Sequence, residues 1–595
     1  MPMRGRTLKG SALRATAAAT AAVLLLSACG GGGGGGNADT EFDQGSTEVV
    51  NPSEEKGGTL RYAITANIES TDPGNTYYGY VWNFSRYYAR TLYTYQAAPG
   101  EEGREVVPDL AEGEPEVSED GKTYTVKLKK GLKYEDGSEI VAEDIAYAIA
   151  RSNFGPDAMP NGPKYYKEHL AGSDDYEGPY TGADDPLEGF GGVETPDDHT
   201  LVFHLKKPFY EFPYVLVQPQ SAPVPAEADK GEQYQEKVVS SGPYKFEGEW
   251  TPGNGLTLVR NEEWDPESDP IRKALPDRVT VEEGVDQNEI DQRLINGELD
   301  VDLGGTGLGP AKKGEVLQDE DVRPLLDNPL NGGHYFLAVN TKVEPFDELE
   351  CRQAVQYGLN RDAVHRAWGG AAGGEPANTV LPLGTPGHDP ESDVYPAADP
   401  EKNEGDPAKA EELVAECGEG DGVTAKLGVR ADRPAEVSAA EAIQEALGRA
   451  GIEVRIEQFP SDTFTTTQAG SPSFVHENKL ALMIYGWLPD WDTGYGYMSQ
   501  ILDGDAIKEA GNSNLAELDD EEINERFDEI VGIEDEAERT EAAAEIDRLV
   551  MEQAVIVPMV YSKAVLYRPE TLTNAYFNPS WKMYDYMALG TTAQE

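Results

Sequence analysis

Residues 480–485 read LALMIY, six apolar positions in succession. A strand with one wet face alternates apolar and polar residues, so this run needs cover on both faces. QAVIVPMVY, from Gln553 to Tyr561, is of the same kind. Upstream, Ala439, Ala442, Ile443, Ala446, Leu447 and Ala450 form a helical stripe that Gly451 ends. The pair Ser438 and Glu441 reads as a capping box opening that helix. IEVRIEQF follows with Ile452, Val454 and Ile456 alternating. Helices alternating with fully buried strands predict an α/β fold with open sheets. Nearer the start, GGTLRYAI, KTYTVKL and HTLVFHL alternate as half-buried strands, and AEDIAYAIARS has helical spacing. Residues 155–192 are rich in Gly, Pro, Asp and Tyr and are expected to be mostly loop.

The first 28 residues do not belong to this body. Arg4, Arg6, Lys9 and Arg14 precede a short apolar run from Ala15 to Leu26. The run is too short to span a bilayer, so residues 1–28 read as a signal peptide. It ends Leu26-Ser27-Ala28-Cys29, which resembles a bacterial lipobox and makes Cys29 the lipidated first mature residue. Seven glycines follow it, Gly30 to Gly36. Residues 29–56 are expected to be a lipidated cysteine and a flexible tether, reaching roughly 25–30 Å as a coil. Several acyl chains on one residue hold a protein on a membrane far better than a single chain does.

The 595-residue chain has 109 Asp+Glu against 49 Lys+Arg, a formal charge of -60. Binding nucleic acid through a basic surface is disfavoured, whereas a large net charge keeps a protein soluble and monomeric. Two further cysteines, Cys351 and Cys417, sit on the apolar stripes of two helical patterns. They can be two buried thiols or one disulfide, which an extracytoplasmic compartment permits. Three cysteines and seven scattered histidines offer no metal spacing, and no H-E-x-x-H, G-x-S-x-G or P-loop occurs. No catalytic residue, metal or cofactor is therefore assigned.

The positive signal is aromatic. Tyr77, Tyr78, Tyr80, Trp82, Tyr87 and Tyr88 are too many for one buried face. A second cluster, YGWLPDWDTGYGYM, places Asp490 and Asp492 among Trp487, Trp491, Tyr495 and Tyr497. It directly follows LALMIY, so it lies at the carboxyl end of a buried strand, where open α/β sheets hold ligands. Aromatic walls with a few polar anchors suit a small-molecule cleft; an aromatic mini-core with solvated acids has the same composition. Asp492 is expected to be outward-facing or structural.

Several segments together resemble the bacterial extracellular solute-binding proteins of family 5, the peptide-binding components of ABC importers. They run from VPDLAEG through the DG turn to AEDIAYAIARS, then SGPYKFEGEW with LVRNEEW, GELDVDL, FLAVNTKVEPFDELECRQAVQYGLNRDAV and AVIVPMVY. The resemblance implies a periplasmic-binding-protein-like α/β fold of two lobes with a hinge. Lobe I is expected from residues 57–99, 225–332 and 558–595, its extra subdomain from 100–224, and lobe II from 333–557. It implies a monomer at the outer membrane face that captures a peptide or other small molecule and serves a permease. Trp487, Asp490 and Trp491 match the family's Trp-x-x-Asp-Tyr segment, whose aspartate pairs with a ligand's ammonium group. Tyr78, Tyr80 and Trp82, from the first aromatic cluster, are expected to bind the ligand as well. No arginine stands between Arg455 and Arg526 to hold a ligand carboxylate, so an amine, glycan or other cationic metabolite stays open beside a peptide. The alternative is a secreted hydrolase of peptides or glycans using the cleft carboxylates.

Overall fold

The computed structural model describes residues 42–155, 159–392, 394–395, 403–417 and 422–593. The signal peptide, Cys29 and the glycine run lie outside the described residues.

Three sheets organise the body. In the first, Thr59–Ala63 lies parallel between Val301–Asp302 and Arg278–Glu282. Leu256–Arg260 and Tyr244–Phe246 then add on antiparallel. Leu60 and Tyr62, alternating in sequence, are both buried here. A four-stranded antiparallel sheet, in the order Glu116–Val117, Thr123–Lys127, Thr200–His204, Val193–Asp197, falls within the segment expected for the subdomain. Helix Ala142–Phe154 is buried through Ile145, Ala148 and Ile149.

The third sheet positions the site. Its six strands run Gly374–Pro376, Ile556–Lys563, Leu330–Val339, Leu482–Trp487, Val423–Arg430, Ile452–Phe459. The first three pairings are antiparallel and the last two parallel. Leu482, Met483 and Ile484, whose side chains alternate between the two faces of the sheet, are all buried, so both faces are covered here. Strand Ile556–Lys563 runs beyond the boundary expected at residue 557 and stays in this sheet throughout. The chain after it returns to the first sheet's side, where Tyr586 donates to Leu303 O at 2.7 Å.

Two local readings differ. Helix Pro434–Arg449 starts four residues before Ser438, because Pro434 supplies a preset φ at the first turn; Ser438 is inside the helix and caps nothing. The expected tether through residue 56 is packed over part of its length. Gly45 N donates to Asp327 Oδ1 at 2.8 Å, Asn328 N to Asp43 Oδ1 at 2.6 Å, and Val50 bridges Ala575. A Cβ on Gly45 would lie 2.3 Å from the Asp327 carboxylate, so only glycine fits. Phe42, Val49 and Val50 were the apolar signals in this stretch.

Cys351 on helix Leu349–Gly358 and Cys417 on helix Pro407–Cys417 form a disulfide, with Cα atoms 5.6 Å apart.

Candidate functional site: an aromatic cavity with one free carboxylate

Strand Leu482–Trp487 leaves the six-stranded sheet at Leu488 and Pro489 and delivers Asp490 to a cavity of about 370 Å³. Tyr485, Trp487 and Leu488 form that wall, joined by Arg430 from the end of the neighbouring parallel strand. Tyr77, Tyr78 and Trp82, at the start of helix Gly79–Ser85, form the facing wall with Gln218, Trp581 and Lys582. Tyr78 and Leu488, each about half exposed, present apolar surface to the void.

Asp490 is the cavity's carboxylate. Tyr77 Oη donates to its Oδ1 at 2.5 Å, and Tyr165 Oη lies 3.1 Å from Tyr77 Oη. Gln218 Nε2 donates to the Asp490 carbonyl at 3.2 Å. Asp490 Oδ2 has no hydrogen-bond partner among the described residues. Burial pushes its pKa up from 3.8 to about 6, against the hydroxyls of Tyr77 and Tyr165, which favour the ionised form. An acceptor with a vacant lone pair, set among aromatic faces, suits an ammonium or guanidinium group.

Trp487 lines the cavity and is held by its Nε1, which donates to Tyr497 O at 3.0 Å. Trp82 is fixed by Nε1 donating to Thr76 O, with Tyr77 across its face at 5.8 Å. Of the expected ligand residues, Trp487, Asp490, Tyr78 and Trp82 are brought together. Trp491 and Tyr80 are not on the wall. After Asp490 the chain turns into helix Gly494–Leu502, which points the Trp491 indole away from the void; it is 4 % exposed and donates to Glu211 Oε2 at 2.6 Å. A Cβ at Gly496 would meet that indole at 2.6 Å, so glycine lets it lie against the helix. Tyr80 is half-buried beside Tyr78, one residue further into its helix. Asp492 is structural and buried, paired with Lys582 at 2.8 Å and with Arg104.

Arg430, Gln218, Trp581 and Lys582 were not anticipated. Arg430 stands at the carboxyl end of a strand parallel to the cavity strand, a position that the switch-point rule marks. Its Nε donates to Glu436 Oε2 at 3.0 Å and its Nη2 to Glu436 Oε1, so its charge at the cavity wall is paired within the same lobe. Nothing in the local sequence of Lys582 marks it, because the return of the C-terminal segment places it there.

Comparison with known proteins agrees with this architecture. The family model described as bacterial extracellular solute-binding proteins, family 5 Middle, matches residues 105–509. The chain is 26 % identical over 476 residues to heme-binding protein A of Haemophilus influenzae, covering 77 % of this chain and 79 % of that one. It is 24 % identical over 468 residues to the periplasmic oligopeptide-binding protein OppA of Escherichia coli, covering 75 % and 77 %. Among solved structures, a clavulanic acid biosynthesis oligopeptide binding protein 2 superposes with a TM-score of 0.88 at 38 % identity, over 93 % of this chain and 98 % of that chain. The Helicobacter pylori periplasmic binding protein DppA, in complex with the peptide STSA, gives a TM-score of 0.70 at 19 % identity, over 91 % and 99 %.

Proposed function

The chain belongs to the bacterial extracellular solute-binding proteins of family 5, and from that membership and the cavity we propose a lipid-anchored receptor that captures a peptide between its lobes for an ABC permease. Such a receptor makes and breaks no bond, and the family's members are substrate-binding proteins. That sets the hydrolase aside. Among the described residues no helix is long and apolar enough to cross a membrane. Attachment in this reading is through Cys29, on the strength of the leader sequence. The receptor works as a monomer and needs no cofactor.

One observation carries the ligand reading: Asp490 places an unpartnered carboxylate oxygen among aromatic side chains in the cavity wall. A positively charged group, most simply a peptide's amino terminus, answers it. A carboxylate in a partly desolvated wall without such a partner is costly, and its raised pKa expresses that cost. The test is mass spectrometry of small molecules released when the purified protein is denatured. Peptides or other cationic solutes support the reading; a neutral sugar would replace it with an aromatic sugar platform.

A further inference from the structure

Four consecutive residues beyond the cavity strand are held by side chains from distant segments, two of the four by the same carboxylate. Tyr77 and Gln218 bond Asp490, through its carboxylate and its carbonyl. Glu211 Oε2 accepts from Trp491 Nε1 at 2.6 Å and from Thr493 Oγ1 at 2.7 Å. Asp492 pairs with Lys582 at 2.8 Å and with Arg104. The segment bends, with Thr493 N donating to Trp491 O at 2.9 Å, and its side chains point in two directions. Residues 490 and 492 face Tyr77 and Lys582, and residues 491 and 493 face Glu211. Glu211 and Asp492 are 2 % and 4 % exposed, so both anions are withdrawn from water where the two walls meet. Arg539 lies 3.8 Å from Glu211, and Tyr210 N donates to Val531 O at 3.0 Å, which continues the same seam.

We propose that residues 490–493 are a latch holding the cavity closed, with Glu211 and Asp492 as its positioning residues, each an anion on one wall bound by donors from the other. Its chemistry suits reversible closure. The desolvation of a buried ion pair offsets most of its attraction, so charged halves that rehydrate on opening leave open and closed forms near balance. The Trp491 indole adds edge-on aromatic contact to Tyr165 at 5.2 Å, which tilts the balance toward the closed form. The latch also sets Asp490, because Trp491 and Asp492 fix the backbone that carries it. It rests on the proposed receptor role but not on the ligand's identity, because it is read without ligand and through Glu211 and Asp492, which lie outside the cavity wall.

The experiment compares ligand-free parent, Glu211→Ala, Glu211→Gln and Asp492→Asn by small-angle scattering, amide exchange and thermal melting. Gln retains an oxygen for Trp491 and Thr493, and Ala does not. Glu211→Ala and Asp492→Asn are expected to enlarge the radius of gyration and to lower amide protection at least tenfold in 77–82 and 490–497. Glu211→Gln is expected to stay within about threefold of the parent. Melting temperatures should change little, since each wall keeps its own core. Unchanged scattering and protection in Asp492→Asn would overturn the proposal, as would equal effects of Gln and Ala at Glu211. A loss of protection spread over the whole chain would also overturn it, by marking a structural role. Should Glu211→Ala fail to fold, Asp492→Asn, nearly the same size as the parent residue, decides alone.

Discussion

Tyr77 Oη donates to Asp490 Oδ1 at 2.5 Å, joining residues 413 positions apart across the cavity. The other carboxylate oxygen, Oδ2, has no hydrogen-bond partner among the described residues. Asp490→Asn keeps the shape and removes the charge. Calorimetry with the co-purified ligand is expected to show binding weaker by about 2–5 kcal/mol, as for truncating one partner of a desolvated charge pair. Affinity equal to the parent's would reassign the site to a neutral ligand.

The raised pKa of Asp490 gives that affinity a pH dependence. With a pKa of about 6 in the empty cavity, Asp490 is mostly ionised at pH 7 and protonated at pH 5. Glu168 pushes in the same direction as burial, and Lys508 opposes it. A cationic ligand prefers the carboxylate, so its binding releases a proton. Affinity should rise with pH, by up to about tenfold per unit, until it levels off above pH 6. The sign for stability is opposite. Between the unfolded value near 3.8 and about 6 the folded state binds more protons, so this group's contribution to stability falls as pH rises through that window. Titrating parent and Asp490→Asn by calorimetry checks both, since the variant should lose the slope.

Trp487 and Trp491 are expected to separate. Trp487→Ala removes stacking area from the wall and should weaken binding without altering charge preference. Trp491→Ala removes the indole that Glu211 holds in the seam and should lower amide protection in residues 490–497 of the ligand-free protein. An equal loss of protection in Trp487→Ala would contradict this division.

Cys351 and Cys417 should yield no alkylatable thiol in denaturant without reductant. The bridge closes a loop of 66 residues, for which chain entropy gives about 4 kcal/mol. Replacing both by serine should lower stability by up to that amount and leave the cavity's affinity unchanged.

Cys29→Ser should release the protein from the membrane fraction into the medium. Deleting residues 30–41 should leave affinity unchanged. Extending the deletion to residue 53 should destabilise the body, because it removes the Gly45–Asp327 and Val50–Ala575 contacts. Melting curves of the two deletions distinguish them.

Sequence periodicity alone was enough to set the strand LALMIY, the helices around it and the α/β class, because burial on two faces leaves an unbroken apolar run. Local order also put Trp487 and Asp490 at a strand's carboxyl end. Other features were settled by tertiary structure. The turn into helix Gly494–Leu502 sends Trp491 into the seam while Asp490 stays in the cavity, a difference that adjacent letters do not encode. Pro434 moved a helix start that the spacing of Ser438 and Glu441 placed later. Arg430, Gln218 and Lys582 reach one void from segments about 150–210 residues apart. Their juxtaposition follows from strand pairing and chain return, long-range events whose only local trace is the apolar pattern that drives them.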